Sequence, residues 1–260
     1  MASAVANIRA TSGGNARFNK EALSWDARPF VYEASQAAAE AVLSKLKSLD
    51  RQPKQVLEIG CGTGTLSFLI APHVDRVVAV DAADGMIEVL KIKLAKSGAP
   101  TNILPVAVLL EDPEDGSLPG ADSGKPESQR QKFDLIISHL VLHHIPDLGS
   151  VLRTMLGCLK PGGCVMLTDF EDFGPEAKRF HPASKMAGVE RHGIDAAAMS
   201  KLMHDIGFKH VSVQAEWTMR KRVESFDGEF GGDDGLGMAK QETGESMSFP
   251  FLLCYGERAD

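Results

Sequence analysis

The sequence contains few cysteines and no long apolar run. Its cysteines, Cys61, Cys158, Cys164 and Cys254, are far apart and form no C-x-x-C pair. We therefore expect neither a disulfide framework nor a zinc site built on cysteine, and a reducing compartment. No apolar run approaches the roughly 20 residues that cross a bilayer, and no signal-peptide core follows the first residue. These absences predict a cytoplasmic protein with no membrane partner.

An excess of positive charge is also lacking. The chain has 28 Lys and Arg against 35 Asp and Glu, a formal charge of −7. That balance argues against a broad nucleic-acid-binding face, so we expect no nucleic-acid partner. The short basic run from Arg220 to Arg222 is interpreted as a solvated strand end.

The first 20 residues contain Arg9 and Arg17 but no acid. A mitochondrial targeting segment is one interpretation, because such segments are basic and poor in acids. Gly13 and Gly14 interrupt any amphipathic helix here, which favours a frayed tail instead. We divide the chain into an N-terminal tail and helical cap, residues 1–50, and a main domain, residues 51–260.

Apolar runs alternate with helical patterns along the main domain. Five runs predict strands at 56–59, 77–80, 102–110, 133–138 and 164–167, with Pro105 indicating an edge position for the third. Helical spacing follows at 66–70, 148–159 and 195–206, and Asp84 is predicted to cap a further helix. Residues 111–132 have the composition of a surface loop.

Two further strands, 210–217 and 249–255, have no clear helix between them, only the glycine-rich stretch 231–237. We expect them to form an antiparallel pair at one edge. The alternating units before them imply a mainly parallel sheet covered by helices on both faces. The prediction is therefore an α/β protein with a seven-stranded sheet.

The strongest motif is Glu58-Ile59-Gly60-Cys61-Gly62-Thr63-Gly64, set between a strand and a helix. Glycines permit a tight turn and close approach of a ligand to the backbone. Asp81 follows at about the interval where an acid reaches ribose hydroxyls. A dinucleotide fingerprint would need a glycine at Thr65. The compact spacing suits an adenosyl ligand without a pyrophosphate.

This motif resembles the first motif of class I S-adenosylmethionine-dependent methyltransferases. Residues 133–145 resemble the family's fourth-strand motif, and Leu159-Lys160-Pro161-Gly162-Gly163 resembles the turn before its fifth strand. The resemblance implies a Rossmann-like fold, the cofactor S-adenosyl-L-methionine and a methyl-transfer activity.

The resemblance also implies roles in cofactor binding. The glycine loop would line the methionine end, with Glu58 holding the loop or the amino group, and Asp81 would bind the ribose. Beside the third strand, Leu110 would contribute its backbone, or Glu111 or Asp112 would meet the adenine. The full set implied is Trp25, Glu58, Gly60, Cys61, Gly62, Thr63, Gly64, Asp81, Ala82, Met86, Leu110, Glu111, Ser138 and His139.

Two further segments resemble a subgroup that methylates small molecules. Phe18 to Asp26 matches F-x-x-x-A-x-x-W-D, which can close over the cofactor, although Trp25 alone could equally be a core residue. Segments around His181 and His192 resemble a region near the acceptor. We take His143, His181 and His192 as substrate-facing candidates, with surface or packing roles as the alternative.

We expect no metal site at His143-His144, because adjacent histidines on a helix diverge and no nearby carboxylate or i, i+4 partner completes a ligand set. No catalytic residue is assigned, since a base is needed only if the acceptor must lose a proton early. The sequence predicts methyl transfer to a small-molecule acceptor. Protein or RNA methylation and an inactive cofactor-binding scaffold are the alternatives.

Overall fold

The computed structural model of the protein describes residues 15–121, 129–231 and 244–260. Seven strands fall in this part of the chain: β1 Gln55–Ile59, β2 Arg76–Asp81, β3 Ile103–Ala107, β4 Phe133–His139, β5 Leu159–Phe170, β6 Lys209–Val223 and β7 Glu245–Glu257. The α-helices given element bounds are α1 Pro29–Ser48, α2 Thr65–Ile70, α3 Asp84–Leu94, α4 Leu148–Cys158 and α5 Ala196–Ile206. Residues 15–21 are also helical. Of the short 3-10 helices, Ala22–Ala27 and Leu142–His144 matter most for the site.

The strands form one sheet in the order β3-β2-β1-β4-β5-β7-β6. Neighbours from β3 to β5 are parallel, whereas β7 is antiparallel to both β5 and β6. The α/β fold class with an antiparallel pair at one edge is thus confirmed. The reversed strand, β7, lies one place in from the edge, and β6 is the edge strand. At the opposite edge lies β3, as Pro105 indicates.

Successive side chains of a strand point to opposite sides of the sheet. Because the central strands are apolar on both sides, helices cover both faces of the sheet. The face under α1, α2 and α3 presents Val56, Val77, Leu135 and Met166. The face under α4 and α5 presents Leu57, Val78, Ile136 and Val165. Burial on both faces explains why these strands read as continuous apolar runs.

Several element bounds differ from the sequence prediction. β5 begins before the Pro161-Gly162-Gly163 turn, with a register shift against β4 between Phe133 and Leu135. β6 and β7 are both longer than predicted, because each supplies the other's backbone partners well beyond the region that α5 covers. The stretch 232–237, the end of the predicted glycine-rich connection, lies outside the described residues, as do residues 122–128 of the predicted loop.

The prediction that Asp84 caps a helix is wrong. The N-cap of α3 is Ala83, no side chain caps it there, and Asp84 is the first helical residue. Side chains from other segments accept the N–H groups at the start of this helix. Asp81 Oδ1 accepts from Ala83 N at 2.8 Å, and Asn19 Oδ1 accepts from Gly85 N at 2.7 Å. The start of this helix is therefore fixed by the end of β2 and by the N-terminal segment.

Gly207 adopts the left-handed conformation at the C-terminal end of α5, as is common for a glycine in this position. None of the described helices has the length and apolar character needed to cross a membrane.

Gly64 and Gly98 make a matched pair for testing the packing behind the glycine loop. Both have positive φ, +82° and +80°, but an added Cβ at Gly64 would lie 2.5 Å from Leu90 Cδ1, whereas at Gly98 it would meet nothing within 4 Å. Left-handed backbone alone costs a side chain about 1–2 kcal/mol. Overpacking adds about 1–3 kcal/mol. We expect Gly64→Ala to lower the free energy of unfolding more than Gly98→Ala, measured by urea denaturation. Equal losses would contradict the packing against Leu90.

Candidate functional site

An open cleft of about 660 Å³ lies where β1, β2 and β4 end. This is the usual ligand position in open parallel sheets. The loop after β1, the turn after β2 and the chain after β4 form its floor, and the N-terminal segment forms part of its wall. The residues predicted for cofactor binding that line it are Trp25, Glu58, Gly60, Cys61, Gly62, Thr63, Asp81, Ala82, Met86, Leu110, Glu111 and His139.

The glycine loop is tied to the neighbouring strand by three hydrogen bonds. Gly60 N and Cys61 N donate to Val80 O at 2.9 and 3.0 Å, and Gly62 N donates to Asp81 Oδ2 at 2.7 Å. The other carboxylate oxygen of Asp81 accepts from Ala83 N, in the turn after β2, at 2.8 Å. Gly62 has a φ of +53°, and a Cβ added there would meet no atom within 4 Å. The loop therefore turns an open stretch of backbone toward the cleft.

Asp81 thus holds two loops together. Burial raises the pKa of Asp81, and the N–H groups of Ala83 and Gly62 partly offset that rise by stabilising the carboxylate. Each carboxylate oxygen accepts one backbone N–H and keeps a further acceptor site. Asp81 therefore has the capacity to accept ribose hydroxyls as well.

Glu58 lies at the end of β1 with only 2% of its surface exposed. Its Oε2 accepts a short hydrogen bond from Ser67 Oγ in α2. Burial, reinforced by the nearby Asp81, raises the pKa of Glu58 to about 8, against the stabilising bond from Ser67. Since Glu58 also lines the cleft, a cation bound there would favour its ionised form.

The N-terminal segment, residues 15–27, closes one side of the cleft. Asp26 Oδ1 accepts from Thr63 Oγ1 in the glycine loop, and Asp26 Oδ2 pairs with Lys93 Nζ at 2.7 Å. Ala22 is buried against Met86 and Ala83, with Phe18 and Trp25 packed beside it. The F-x-x-x-A-x-x-W-D pattern therefore describes a segment docked on the loops after β1 and β2.

The charges along the cleft are of one sign. Among the described lining residues, those with ionisable carboxyl groups are Glu58, Asp81, Glu111, Asp147 and Glu190, and none is a lysine or arginine. Such a lining attracts a cationic ligand and opposes the two negative charges of a pyrophosphate.

At the end of β3, the sequence left three candidates for the adenine. Leu110 and Glu111 line the cleft, together with Val108 and Leu109. Asp112 turns away, since its Oδ1 accepts from Glu114 N at 2.8 Å. The backbone of Glu111 is fixed by Thr154 Oγ1, which donates to its carbonyl at 2.8 Å. The geometry favours Leu110 and Glu111.

Two predicted residues at the end of β4 have different surroundings. Ser138 is 1% exposed and donates from Oγ to Ile59 O at 2.8 Å, so it joins β4 to β1 and does not line the cleft. His139 does line it; its Nδ1 lies 2.9 Å from Thr168 Oγ1, and its buried Nε2 has no hydrogen-bond partner within the described chain. Burial lowers the pKa of His139 to about 4, so the ring is neutral at pH 7.

Gly64 and the three substrate-facing candidates are also absent from the lining. Gly64 packs behind the loop against Leu90, and His192 is exposed. His143 is 2% exposed, and His181 lies beside it with ring centroids 4.9 Å apart. Instead of these histidines, His144 lines the cleft, with Gly188 and Glu190.

Sequence reasoning missed several lining residues, among them Asn15, Phe30, Leu140 and His144. Leu140 and His144 carried a signal, since both lie in the segment 133–145 that contains and follows a predicted strand. The others reach the cleft through long-range packing, which no local pattern in the sequence indicates.

The prediction that His143 and His144 diverge and have no carboxylate nearby is wrong. These residues form a single 3-10 turn, and their ring centroids are 3.9 Å apart. A carboxylate is present: Asp169, at the end of β5, pairs with His143 Nδ1 at 2.9 Å. A third histidine, His181, approaches from the segment after β5. Sequence spacing could not show this convergence, because the tertiary fold brings the partners together.

A family model described as a methyltransferase domain matches residues 31–213. The chain belongs to this family, within the class I S-adenosylmethionine-dependent methyltransferases, whose cofactor is S-adenosyl-L-methionine. The open glycine loop, Asp81 and the carboxyl-rich lining fit that cofactor, which carries a sulfonium, an ammonium group, one carboxylate and ribose hydroxyls, has a net positive charge and contains no phosphate.

Among similar proteins is an uncharacterized methyltransferase of Schizosaccharomyces pombe, 29% identical over 53% of this chain and 47% of its own length. A ubiquinone biosynthesis O-methyltransferase of Chromobacterium violaceum is 33% identical over 44% of each chain. The chain thus spans about half the length of these relatives. The fold is similar to N-methyltransferase NodS from Bradyrhizobium japonicum in complex with S-adenosyl-L-homocysteine, with TM-score 0.54, 16% identity and coverage of 95% of this chain and 100% of the other.

We predict that S-adenosyl-L-homocysteine binds more tightly as pH rises from 6 to 8. A cation near Glu58 lowers its pKa from about 8, so binding releases a proton, and log affinity rises with pH until the free group ionises. The slope is at most about tenfold per pH unit. Calorimetry in buffers of different ionisation enthalpy measures the released proton.

Glu58→Gln should flatten this slope and abolish the proton release. Glu190→Gln, a control that removes another carboxyl from the cleft lining, should keep both. A wild-type affinity that is constant from pH 6 to 8 would contradict the assignment of Glu58 to the cationic end of the ligand.

Proposed function

We propose that the protein transfers the methyl group of S-adenosyl-L-methionine to a small-molecule acceptor. The observation that carries the proposal is the carboxyl-rich cleft without lysine or arginine among its described lining residues, next to an open glycine loop. Bound in that cleft, S-adenosyl-L-methionine supplies a methyl group that its sulfonium makes electrophilic.

The work left to the protein is alignment and exclusion of water. Asp81 and the backbone of Gly62 hold the nucleoside end, while Glu58 faces the cationic end. The docked segment with Phe18 and Trp25 shields one side, because Asp26 fastens it to Thr63. The acceptor approaches from the side of the cleft formed by the chain after β4, near His139 and His144.

A methyl transfer needs a general base only if the acceptor atom must lose its proton early in the reaction. His139 is neutral at pH 7 and offers a ring nitrogen that is free of hydrogen bonds within the described residues. A neutral imidazole accepts a hydrogen bond from an acceptor hydroxyl or amine and thereby orients its lone pair. We assign His139 this orienting role and no obligatory proton transfer.

Two features support a small acceptor over a protein or an RNA. The cleft volume of about 660 Å³, which cofactor and acceptor would share, lies in the range of small-molecule sites, about 300–1,000 Å³. The net charge of −7 disfavours an RNA backbone. The relative from Chromobacterium violaceum, by its name an O-methyltransferase of ubiquinone biosynthesis, supports a small acceptor through family likeness.

Activity is tested by incubating the protein with S-adenosyl-L-methionine and a panel of small hydroxyl, amine and carboxyl acceptors. We expect S-adenosyl-L-homocysteine to form with at least one small acceptor, and at a much lower rate with protein or RNA. Turnover only with a macromolecule would contradict the small-molecule proposal. Tight cofactor binding without turnover on any acceptor would favour a scaffold role.

We predict that Asp81 recognises the ribose in addition to holding the loops. The test compares S-adenosyl-L-homocysteine with its 2′,3′-dideoxy analogue, on wild type and on Asp81→Asn, by calorimetry. Hydrogen bonds to a charged group contribute about 1.5–3 kcal/mol each, so wild type should bind the analogue at least tenfold more weakly. Asp81→Asn should lose much of that discrimination.

If Asp81 only holds the loops together, the result is different. Asp81→Asn would then bind both ligands more weakly, and the ratio of the two affinities would be the same as in wild type. Asp84→Asn, on the exposed first residue of α3, is the matched control and should behave as wild type.

A further inference from the structure

We propose that His143, His144 and His181 form a binding site for a divalent transition-metal ion, with Zn²⁺ as the ion that the ligand chemistry favours. Each histidine offers one ring nitrogen, and these nitrogens all lie within 4.8 Å of one another. The site is separate from the cofactor residues, since neither His143 nor His181 lines the cleft, and only His144 borders it.

The distances between the three ring nitrogens are somewhat longer than those of a metal-bound site, so the rings would move slightly closer together around an ion. Zinc binds imidazole nitrogen at about 2.0–2.1 Å in tetrahedral geometry, which places neighbouring ligand nitrogens about 3.3 Å apart. The 4.8 Å limit therefore calls for ring shifts of about an ångström. His144 and His181 are only partly buried, so their rings have room to adjust.

The hydrogen bonds around the cluster leave nitrogens available for an ion. His143 Nδ1 contacts both carboxylate oxygens of Asp169 at 2.9 Å, and its buried Nε2 has no partner in the described part of the chain. His144 Nδ1 contacts Gly188 O at 2.7 Å, which leaves Nε2. His181 Nδ1 is buried and likewise has no partner among the described residues. Unsatisfied buried nitrogens are costly, and a bound ion would remove that cost.

Asp169 and the carbonyl of Gly188 supply the outer contacts typical of a metal site. A metal-bound histidine usually donates its second ring N–H to a carboxylate or backbone carbonyl, which fixes its tautomer and orientation. Asp169 is fully buried and also accepts the backbone N–H groups of His143 and Phe170, at 3.1 and 2.9 Å. Its orientation is therefore set before any ion binds.

The electrostatics select for an ion that prefers nitrogen. The three ligand atoms are all imidazole nitrogens, and metals bind the neutral form of imidazole. Arg17 and Lys221 face His181 and disfavour a weakly held cation, whereas Asp169 favours one. Imidazole suits zinc and other late transition metals, while Mg²⁺ and Ca²⁺ need oxygen ligands.

Three protein ligands leave the fourth tetrahedral position open, as in catalytic zinc sites. His144 borders the cleft, so we place that position toward the cleft, where water or an oxygen of the acceptor would occupy it. The acceptor class that follows is a molecule with an oxygen donor. This last step rests on the proposed function, whereas metal binding itself does not.

The test is metal binding by the whole protein after chelator treatment. We expect Zn²⁺ to bind with one ion per chain, and Co²⁺ to give the visible absorption of a tetrahedral nitrogen site. His144→Ala and His181→Ala should each weaken Zn²⁺ affinity at least a hundredfold. Asp169→Asn should weaken it about 10–100-fold through the orientation of His143. His204→Ala, an exposed histidine on α5, is the control and should leave it unchanged.

Binding of S-adenosyl-L-homocysteine is measured on each variant to show that it is folded. Wild type that binds S-adenosyl-L-homocysteine but takes up no stoichiometric Zn²⁺ would overturn the metal site and leave the methyltransferase proposal intact. Equal Zn²⁺ affinity in wild type, His144→Ala and His181→Ala would also overturn it. Stoichiometric Zn²⁺ that is lost in those folded variants supports the site even if no acceptor is methylated.

Discussion

The site depends on the attachment of the β1 loop to β2. Parallel pairing of the two strands brings Gly60 and Cys61 to the carbonyl of Val80, and the next residue, Asp81, receives the N–H of Gly62. A glycine loop without such a clasp would fluctuate among many conformations, since glycine restricts the backbone least. With the clasp, one open stretch of backbone faces the cleft. The N-terminal segment then docks on this loop through Asp26 and Thr63.

That arrangement also sets the electrostatics of the cleft. The loop brings Glu58 and Asp81 near each other in a poorly solvated place, and burial raises the pKa of each. An unoccupied pair of buried carboxyls is unfavourable when ionised, and a ligand with positive charge relieves that cost. The electrostatic cost of ionising these two carboxyls therefore favours a ligand with a sulfonium and an ammonium group over a ligand with phosphates. Selectivity follows from charge, beyond the shape of the glycine turn.

What the sequence could predict was local. The strands β1, β2, β4 and β5 have strong apolar patterns because they are buried on both faces. The glycine loop and Asp81 lie within one strand-helix-strand unit. The expectation that Asp84 caps α3 was wrong. Asn19 accepts a hydrogen bond at the start of that helix, and it comes from a distant segment that no local pattern indicates. The lengths of β6 and β7 were underestimated, since the outer part of β6 interleaves its buried apolar residues, Met219 and Val223, with a run of basic residues.

The histidine cluster shows why long-range chemistry escapes such reasoning. His143 follows β4, Asp169 ends β5, and His181 belongs to the segment after it. Their meeting depends on β4 and β5 being parallel neighbours, so that both strand ends lie at the same edge of the sheet. The same edge holds His139 and the cofactor loop. One topological rule, that parallel strands end together, therefore places the nucleoside cleft and a nitrogen-rich site side by side. An acceptor between them would meet a neutral imidazole on one side and an electrophilic methyl group on the other.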